Sequence, residues 1–527
     1  MEKCVFKYVY NFLHTHSLLS PHQSGFRHGD SPSNQLLAII HDIYLALDNG
    51  KEIRMVFCDI SKAFDRVWHK GLLCKLSSYG IRNSLLVWFE NYLSDRKQRV
   101  VINGKNSNWL NVKAGVPQGS ILGPLLFLIY INDIVKDIQA KIKLFADDTS
   151  LYVTVDIPRV SADILNSDLN KFHNWSQRWL VNFNPSKTET LLISRKTIKP
   201  FHPPLNMNNT NISEVATHKH LGIFLSGNGH WNEHISYLIS KISPKINILR
   251  KFKFSLDRYS LQTMYYTLIR PILDYGDILW DCLTKAQSEL LENLQLEAAR
   301  IVTGGTRLTS RIKLYTETGW LPLEERRKQH KLILFHKMVH GLAPQYLLDI
   351  LPQRNRNYHN HDTRTGNNFR PLVSHTSLYN KSFLPSAISI WNSLPDYVKN
   401  DPSIYKLKTY LRKPSNKIKN FYFNGTRLGQ IHHARLRMEC SSLKFYLYQR
   451  NLIDSPLCSC MQANETNEHY LLHCCLFSQL RLHTFNEINH PLSTDLLLFG
   501  NNELTDDENA LNFSSVQNVI IHSERFD

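Results

Sequence analysis

Strand-like segments are spread over the first 226 residues of the chain. Ile53–Asp59 and Thr188–Ile193 are short, largely apolar runs with β-branched residues, which is typical of strands. Lys141–Phe145 alternates polar and apolar residues with period two, and Leu151–Val155 is also strand-like. Because turn residues occupy Ala146–Thr149 between them, the pattern predicts a hairpin.

Helical patterns are interleaved with these strands. Lys3–Leu18 has apolar residues at helical spacing, and His220–Leu225 is one more predicted strand. A stripe at steps of three and four residues predicts an amphipathic helix, and its members are Leu165, Leu169, Phe172, Trp175 and Trp179. Strands that alternate with helices, with a hairpin among them, predict an α+β sheet domain that ends at about residue 226.

The pattern becomes mostly helical after this sheet domain. Helical spacing covers Trp231–Phe254, Tyr259–Arg270, Lys285–Val302 and Leu323–His340. Pro244 should kink or split the first of these helices, because proline lacks a backbone donor and clashes with the preceding turn. The third has a predicted capping box at Thr284 and Gln287 and ends at Gly304–Gly305.

Composition changes mark further boundaries. We expect a sheet domain over 1–226, a helical region over 227–350, a connector over 351–420, a Cys/His region over 421–485 and a mobile tail over 486–527. The connector is rich in Asn, His, Arg and Pro, with one aromatic island at Trp391–Pro395. The tail carries more acidic residues and little hydrophobic pattern, which is typical of a poorly ordered terminus.

Charge and cysteine content narrow the classes of function. The 62 Lys and Arg residues exceed the 45 Asp and Glu, and the net charge of +17 favours a polyanionic partner such as nucleic acid. Nine cysteines in 527 residues are too few for a disulfide scaffold and fit a reduced, intracellular setting, nuclear or cytoplasmic. No signal peptide opens the chain, and the longest strongly apolar run, Pro124–Ile131, is far shorter than the ~20 residues of a membrane helix. We therefore expect no membrane insertion.

Three acidic residues occupy strand ends. Asp59 ends a strand of buried character, and Asp147 and Asp148 lie at the tip of the predicted hairpin. Hard carboxylate oxygens bind Mg²⁺, and two such ions can activate an attacking hydroxyl and stabilise a leaving pyrophosphate. Each acid taken alone is better explained as a turn former or a solvated side chain. The metal-binding interpretation therefore depends on the motifs around the three acids.

The motifs around these acids resemble the palm motifs of reverse transcriptases, in the family's order. The matching segments are Phe57–Asp65, Ala114–Pro124, Phe145–Asp148, Asn184–Thr188 and His220–Ile223. Upstream, His22–Arg27 resembles the fingers motif of the non-LTR retrotransposon branch, in a style similar to jockey-like elements. Trp391–Pro395 and the Arg435–Arg481 region resemble the C-terminal part of the same reading frames.

This resemblance implies an RNA-directed DNA polymerase with a right-hand fold. Residues 1–226 would form a palm with partial fingers, and 227–350 a helical thumb. The enzyme would extend a DNA 3′ end on an RNA template by two-metal nucleotidyl transfer, with Asp59, Asp147 and Asp148 holding two Mg²⁺ ions. Its partners would be an RNA template, a DNA primer or target, and deoxynucleoside triphosphates.

The resemblance also implies roles for other residues. Phe64 stands at the position of the family's sugar gate, which excludes a 2′-hydroxyl, although an ordinary core Phe explains it too. Gln118 and Gly119 match a loop that packs against the templating base and the nucleotide; the alternative is a plain Gly/Pro-rich loop. Lys187 is a candidate proton donor to pyrophosphate, or otherwise a solvated surface lysine. His220–Ile223 would be the primer-grip hairpin.

Sulfur and imidazole ligands cluster near the C-terminus. The spacing of Cys458, Cys460, His469 and Cys474 can supply a Cys₃His set that binds Zn²⁺ tetrahedrally. The single residue between the first two cysteines is shorter than the usual two to four, so buried thiols without metal are the alternative. We expect residues 468–474 to form a short helix that carries the last two ligands.

A non-enzymatic alternative stays open at this point. The chain starts within what should be a larger domain, without the endonuclease and the earlier fingers segment usual in the family. It would then be an inactive remnant that acts at most as a basic nucleic-acid-binding protein. Intact acids favour the polymerase, and the C-terminal resemblance disfavours a maturase or a telomerase-like enzyme.

Overall fold

The computed structural model of the protein describes residues 1–198, 200–355, 366–412 and 418–526. These residues form two compact units, each built from several stretches of the chain. The first unit comprises Met1–His234, Ile278–Cys282 and Lys331–Pro402. The second comprises Ile235–Asp277, Leu283–His330 and Ser403–Asp527. Each unit is therefore closed by segments that are distant in sequence.

The strands lie in the first half of the chain. In chain order they are β1 (Glu52–Cys58), β2 (Lys97–Gln98), β3 (Val101–Ile102), β4 (Lys105–Asn106), β5 (Leu110–Asn111), β6 (Lys141–Phe145), β7 (Asp148–Val155), β8 (Glu189–Ile193), β9 (Asn206–Met207), β10 (Thr210–Asn211), β11 (Ser213–Glu214), β12 (Thr217–His220) and β13 (Ile223–Ser226).

Helices occupy most of the remainder. They are α1 (Glu2–Thr15), α2 (Pro32–Asp48), α3 (His69–Ser78), α4 (Asn83–Leu93), α5 (Leu122–Ile131), α6 (Pro158–Trp179), α7 (Asn232–Lys251), α8 (Arg258–Met264), α9 (Arg270–Asp274), α10 (Lys285–Thr303), α11 (Arg311–Thr318), α12 (Leu323–Val339), α13 (Gln345–Leu348), α14 (Ser377–Lys381), α15 (Phe383–Asn392), α16 (Asp396–Lys399), α17 (Ile404–Leu411), α18 (Arg427–Arg437), α19 (Lys444–Tyr448), α20 (Ser478–Thr484), α21 (Thr494–Phe499) and α22 (Asp506–His522). Across the described ranges, no helix combines the length and the apolar character needed to cross a bilayer.

A five-stranded sheet organises the first unit. Its strand order is β11-β8-β1-β7-β6, in which β1 pairs antiparallel with both β7 and β8. All residues of β1 are buried, because helices such as α5 contribute a nearly continuous apolar surface to the same core. A central strand buried on both faces fits the largely apolar run that predicted it. The structure thus confirms an α+β domain.

Most of the expected elements are present, with three differences. The predicted strand His220–Leu225 is instead a hairpin of β12 and β13, because Leu221 and Gly222 both adopt positive φ and reverse the chain. Helix α7 continues through Pro244 and is not split there. The predicted helix Tyr259–Arg270 is interrupted by a π-helical turn over Tyr265–Ile269, between α8 and α9.

The segment expected to be a mobile tail is instead helical and packed. Residue Thr505 caps α22 through a reciprocal capping box with Glu508, and Phe513, Val516 and Val519 of this helix are buried. Residues of 421–485 share the same core, including Tyr470. The acidic residues in the first turn of α22 make the segment polar on average, so its composition does not indicate the apolar face that is buried.

Parts of the expected connector are also ordered. Helices α14 to α17 fall within it, and Trp391 of the aromatic island is buried against Phe335 at a ring-centroid distance of 5.3 Å. Residues 356–365 and 413–417 of the connector lie outside the described residues.

Three buried charges connect helices of the second unit. Glu317 of α11 accepts hydrogen bonds from Arg258 Nη1 of α8 at 2.6 Å and from Arg437 Nη2 of α18 at 2.6 Å. All three side chains are nearly inaccessible to solvent. Burial would raise the pKa of Glu317, but Arg437 and Arg258 outweigh it and lower that pKa. Each of these charged side chains is therefore stabilised in the interior by its ion-pair partners.

Glu317→Ala should destabilise the protein strongly, because it leaves two arginines buried without a carboxylate. Breaking a buried ion pair from one side typically costs about 3–5 kcal/mol. The free energy of unfolding, measured by urea denaturation with far-UV circular dichroism, should fall by an amount of that order. Glu324→Ala is the matched control, because Glu324 is exposed and pairs with Lys328 on the surface of α12. Equal losses in the two variants would show that the buried network is not important for stability.

Candidate active site

Pairing of β1 with β7 brings the three predicted acids to one end of the sheet. Cys58 lies opposite Thr149 in this antiparallel ladder, so the same register places Asp59 opposite Asp148. Asp147 lies between β6 and β7, where Phe145 pairs with Asp148 and only two residues form the turn. Asp59 and Asp148, which are 89 positions apart in sequence, are thus neighbours in the fold.

Carboxylates at this end of the sheet repel one another. Loss of hydration raises the pKa of Asp148 to about 6, and the charges of Asp147 and Asp59 add to the increase, although this side chain lies on the exposed rim. Burial also raises the pKa of Asp147, with a further contribution from Asp59. Such crowded carboxylates form a site that favours a cation.

The segment Asn184–Thr188 is attached to the main chain of Asp59. The amide of Asn184 donates to the carbonyl of Asp59 at 2.9 Å, and the amide of Asp59 donates to Thr188 Oγ1 at 3.4 Å. Lys187 is exposed and directly precedes Thr188, so this attachment holds the backbone of Lys187 close to the first acid.

Gln23 clamps the turn that carries Asp147. Its buried side chain accepts a hydrogen bond from the amide of Ala146 at 2.9 Å and donates to the carbonyl of Ala146 at 3.3 Å. Ala146 has a positive φ of 56°, which is uncommon for a residue with a side chain. Next to the clamp, a Cβ on Gly25 would lie 2.3 Å from the amide nitrogen of Ala146, so this close approach requires glycine.

Phe64 lies at the predicted position but is also packed. Its ring stacks on Phe127 at a centroid distance of 4.4 Å and is only partly buried. The backbone carbonyl of Phe64 accepts from the amide of Val116 at 2.9 Å, which ties the first palm motif to the second. The structure therefore gives Phe64 the packing of a core residue and leaves part of its side chain accessible.

Gln118 and Gly119 are exposed in the loop that follows Val116. Gln118 Nε2 donates to Asp65 Oδ1 at 2.7 Å, and Gly119 has a positive φ with open space around it. Gly115 in the same motif has a φ of 92°, and a Cβ there would lie 2.7 Å from the carbonyl oxygen of Asp65. Glycine thus permits the loop to approach the first motif closely.

A second cluster of candidate ligands lies in the second unit. The predicted set is Cys458, Cys460, His469 and Cys474, and their ligand atoms all lie within 4.8 Å of one another. Two direct separations are 3.7 Å between the sulfurs of Cys458 and Cys474 and 3.1 Å between Cys460 Sγ and His469 Nε2. The expected helix is a π-helical turn over His469–His473, with Cys474 directly after it.

Local hydrogen bonds set the thiol chemistry of this cluster. A backbone hydrogen bond from Gln462 is the main cause that lowers the pKa of Cys460 to about 6. Burial raises the pKa of Cys474 to about 12. The lowered pKa of Cys460 favours its thiolate, the form in which cysteine binds metal. His473 and Cys475 are exposed neighbours outside the set.

Sequence reasoning missed the residues that position the acids. Gln23, Gly25 and Thr188 lie within motifs that resemble the family, yet nothing local indicates that they contact Ala146 or Asp59. Only the three-dimensional contacts reveal these roles, because the partners are distant in sequence.

The chain is similar to several known proteins. Residues 2–242 match the family model described as "Reverse transcriptase (RNA-dependent DNA polymerase)". The chain is 28% identical over 363 residues to the "Probable RNA-directed DNA polymerase from transposon BS" of Drosophila melanogaster, covering 64% of this chain and 38% of that protein. It is 27% identical over 293 residues to the "RNA-directed DNA polymerase from mobile element jockey" of the same organism, covering 54% and 32%.

A longer alignment reaches the C-terminal region. The Pol polyprotein from type-1 retrotransposable element R1 of Bradysia coprophila is 24% identical over 475 residues, covering 88% of this chain and 44% of that protein. The chain thus spans less than half the length of these relatives. Among solved structures, telomerase from Candida albicans has a TM-score of 0.28 at 13% identity over 60% of this chain and 47% of that one, which is too low for comparing the folds.

Residues 2–242 are similar to the reverse transcriptase family. The chain is also similar to the RNA-directed DNA polymerases of non-LTR retrotransposons, jockey among them.

Gln23→Ala should impair DNA synthesis without removing an acid, because it leaves the buried N–H and C=O groups of Ala146 unpaired. Each unsatisfied buried group costs about 1–3 kcal/mol, so the turn should relax and Asp147 should shift. We expect a lower rate of primer extension and a higher Mg²⁺ concentration at half-maximal rate. Gln177→Ala, an exposed change on α6, is the matched control. An unchanged Mg²⁺ dependence in Gln23→Ala would refute a positioning role.

Proposed function

We propose that the chain is an RNA-directed DNA polymerase that extends a DNA 3′ end on an RNA template with deoxynucleoside triphosphates. The observation that carries this proposal is the meeting of Asp59, Asp147 and Asp148 at one end of β1 and β7, inside a reverse transcriptase domain. The proposal concerns this chain only, which covers 38% of the BS transposon protein.

The acidic site suits two Mg²⁺ ions. Carboxylate oxygens are the ligands that Mg²⁺ prefers. Burial is the main cause that raises the pKa of Asp148, and a divalent cation would offset the repulsion from Asp147 and Asp59 that adds to it. When bound, such ions supply activation of the attacking 3′-hydroxyl and charge stabilisation for the leaving pyrophosphate. We assign Asp59, Asp147 and Asp148 as the residues that would hold them.

Other side chains around the acids would act on the nucleotide. Lys187, exposed on the segment attached to Asp59, would donate a proton to pyrophosphate or stabilise its charge. The accessible side of Phe64 would exclude a 2′-hydroxyl, because Phe127 behind the ring limits its retreat. Gln118 and Gly119 would contact the templating base and the incoming nucleotide.

We assign the parts of a right-hand polymerase to two regions of the chain. Residues 1–226 would serve as the palm with partial fingers, and the helices within 227–350 as the thumb. The basic side chains of α7 near its C-terminus, Arg250 and Lys251, suit contacts with the phosphates of a template–primer duplex. Such contacts position the duplex without reading its sequence. An inactive remnant is not favoured, because the three acids are present and Gln23 and Thr188 make the contacts that position them.

Asp147→Asn and Asp59→Asn should each reduce primer extension on poly(rA)/oligo(dT) to background, because each removes a charged metal ligand. The fold should persist, because Asp59 lies just after β1 and Asp147 just before β7, outside the paired strands. Asp163→Asn, an exposed acid on α6, should extend primers like the parent chain. Extension by Asp147→Asn at close to the parental rate would overturn the site assignment, and a parent chain inactive with Mg²⁺ would overturn the function.

The Cys/His cluster suits one structural Zn²⁺ ion. A tetrahedral site with Zn–S bonds of about 2.3 Å separates two sulfurs by roughly 3.8 Å, and Cys458 and Cys474 are 3.7 Å apart. We propose that the set of four binds zinc, with no open position for catalysis. Bound metal would tie the loop before Ala463 to the turn His469–His473 and stabilise this part of the second unit.

Metal analysis of the full chain, purified under reducing conditions, should give about one zinc per chain. Cys460→Ser should lose the zinc and unfold at a lower temperature, because it removes the ligand that is most readily a thiolate. Cys475→Ser is the matched control, since this exposed neighbour lies outside the set. A folded, reduced chain without zinc would leave these cysteines as buried thiols.

A further inference from the structure

An exposed hairpin lies between the first two palm motifs. Its outer rung pairs β2 with β5, and its inner rung pairs β3 with β4. The turn that joins β3 to β4 is Asn103-Gly104, with φ of 49° and 76°. This dipeptide favours the tight hairpin turn whose two central residues both have positive φ. Residues 96–113, here termed the basic hairpin, therefore form a defined element.

The basic hairpin exposes apolar side chains. Between 57% and 66% of each of these residues is accessible to solvent: Val100, Val101, Ile102, Trp109 and Leu110. Single exposed apolar residues are normal on a protein surface, but five on one small element point to a binding surface. Trp109 is an indole on this surface with no core around it.

Cations surround these apolar side chains. The basic hairpin contains Arg96, Lys97, Arg99, Lys105 and Lys113 and no acid, and the nearest acid before it is Asp95. The guanidinium of Arg99 lies over the ring of Trp109, 4.6 Å from its centroid. Among the described residues, none of these five cations forms an ion pair with a carboxylate. The surface therefore complements a polyanion.

The basic hairpin runs directly into the candidate active site. Two residues after Lys113, the amide of Gly115 donates to the carbonyl of Val67 at 2.8 Å. Gln118 then donates to Asp65, beside the first palm motif. A nucleic acid strand bound along the hairpin would thus lie close to the loop that carries Gln118 and Gly119.

We propose that the basic hairpin binds the single-stranded RNA template ahead of the active site, which deepens the proposed function by assigning a template-binding surface. The chemistry selects this occupant for two reasons. Unpaired bases offer π-faces that stack on an exposed indole, whereas a duplex hides them. Free Lys and Arg side chains bind the phosphates, and the Arg99–Trp109 pair presents both groups together.

The test measures binding of a short, fluorescein-labelled oligouridylate to the full chain by fluorescence anisotropy, in EDTA and without nucleotides. Trp109→Ala should weaken binding about tenfold, the effect expected when one base no longer stacks. Trp109→Phe should restore most of the affinity. Arg99→Ala with Lys105→Ala should make the dependence of log K on log salt shallower, by about 0.7 for each phosphate that the protein no longer neutralises.

The matched control is Tyr8→Ala with Lys7→Ala, an exposed aromatic and an exposed cation on α1. This pair should leave the affinity unchanged. The proposal is overturned if Trp109→Ala binds the oligouridylate like the parent, or if the parent does not bind it at low salt. It is also overturned if Trp109→Ala lowers the affinity for an RNA–DNA duplex as much as the affinity for the oligouridylate.

Binding without Mg²⁺ separates this proposal from the polymerase assignment. Trp109-dependent binding in a chain that does not extend primers would support the template surface and refute the activity. Primer extension by a chain whose RNA affinity does not change on Trp109→Ala would support the polymerase activity and refute the template surface.

Discussion

The register between β1 and β7 is the constraint on which the first unit depends. A slip of one residue would move every side chain of β1 to the opposite face, and Asp59 would no longer lie opposite Asp148. Complete burial of β1 between its neighbours makes such a slip costly. The same register aligns β8 on the other side, so the Asn184–Thr188 segment reaches the main chain of Asp59.

Local pattern was sufficient for much of this architecture. Apolar runs and turn residues predicted β1 and the acidic hairpin, and Thr284 with Gln287 predicted the start of α10. The spacing of the cysteines and His469 predicted a cluster that the fold brings together. The strands, the hairpin and the helix start are each indicated by neighbouring residues, and the four candidate metal ligands lie within a short stretch of chain.

Long-range contacts were beyond local pattern. Nothing near Gln23 in sequence indicates a bond to Ala146, because the partner is 123 residues away. The buried face of α22 was hidden by its acidic first turn, and the reversal at Leu221–Gly222 looked like continuous strand. Charge counting has a similar limit. Arg54, Arg258 and Arg437 are buried, so the net charge does not describe where cations are free to meet a polyanion.

The glycine beside the clamp has a consequence for related copies of this chain. A copy in which Gly25 is replaced by any other residue keeps all three acids. Its new Cβ would nevertheless lie 2.3 Å from the amide nitrogen of Ala146, a separation that real Cβ atoms do not tolerate. The turn would have to move, and the acids would be displaced while remaining present. The three carboxylates alone are therefore not sufficient evidence that the site keeps its geometry; the residue at position 25 must be checked as well.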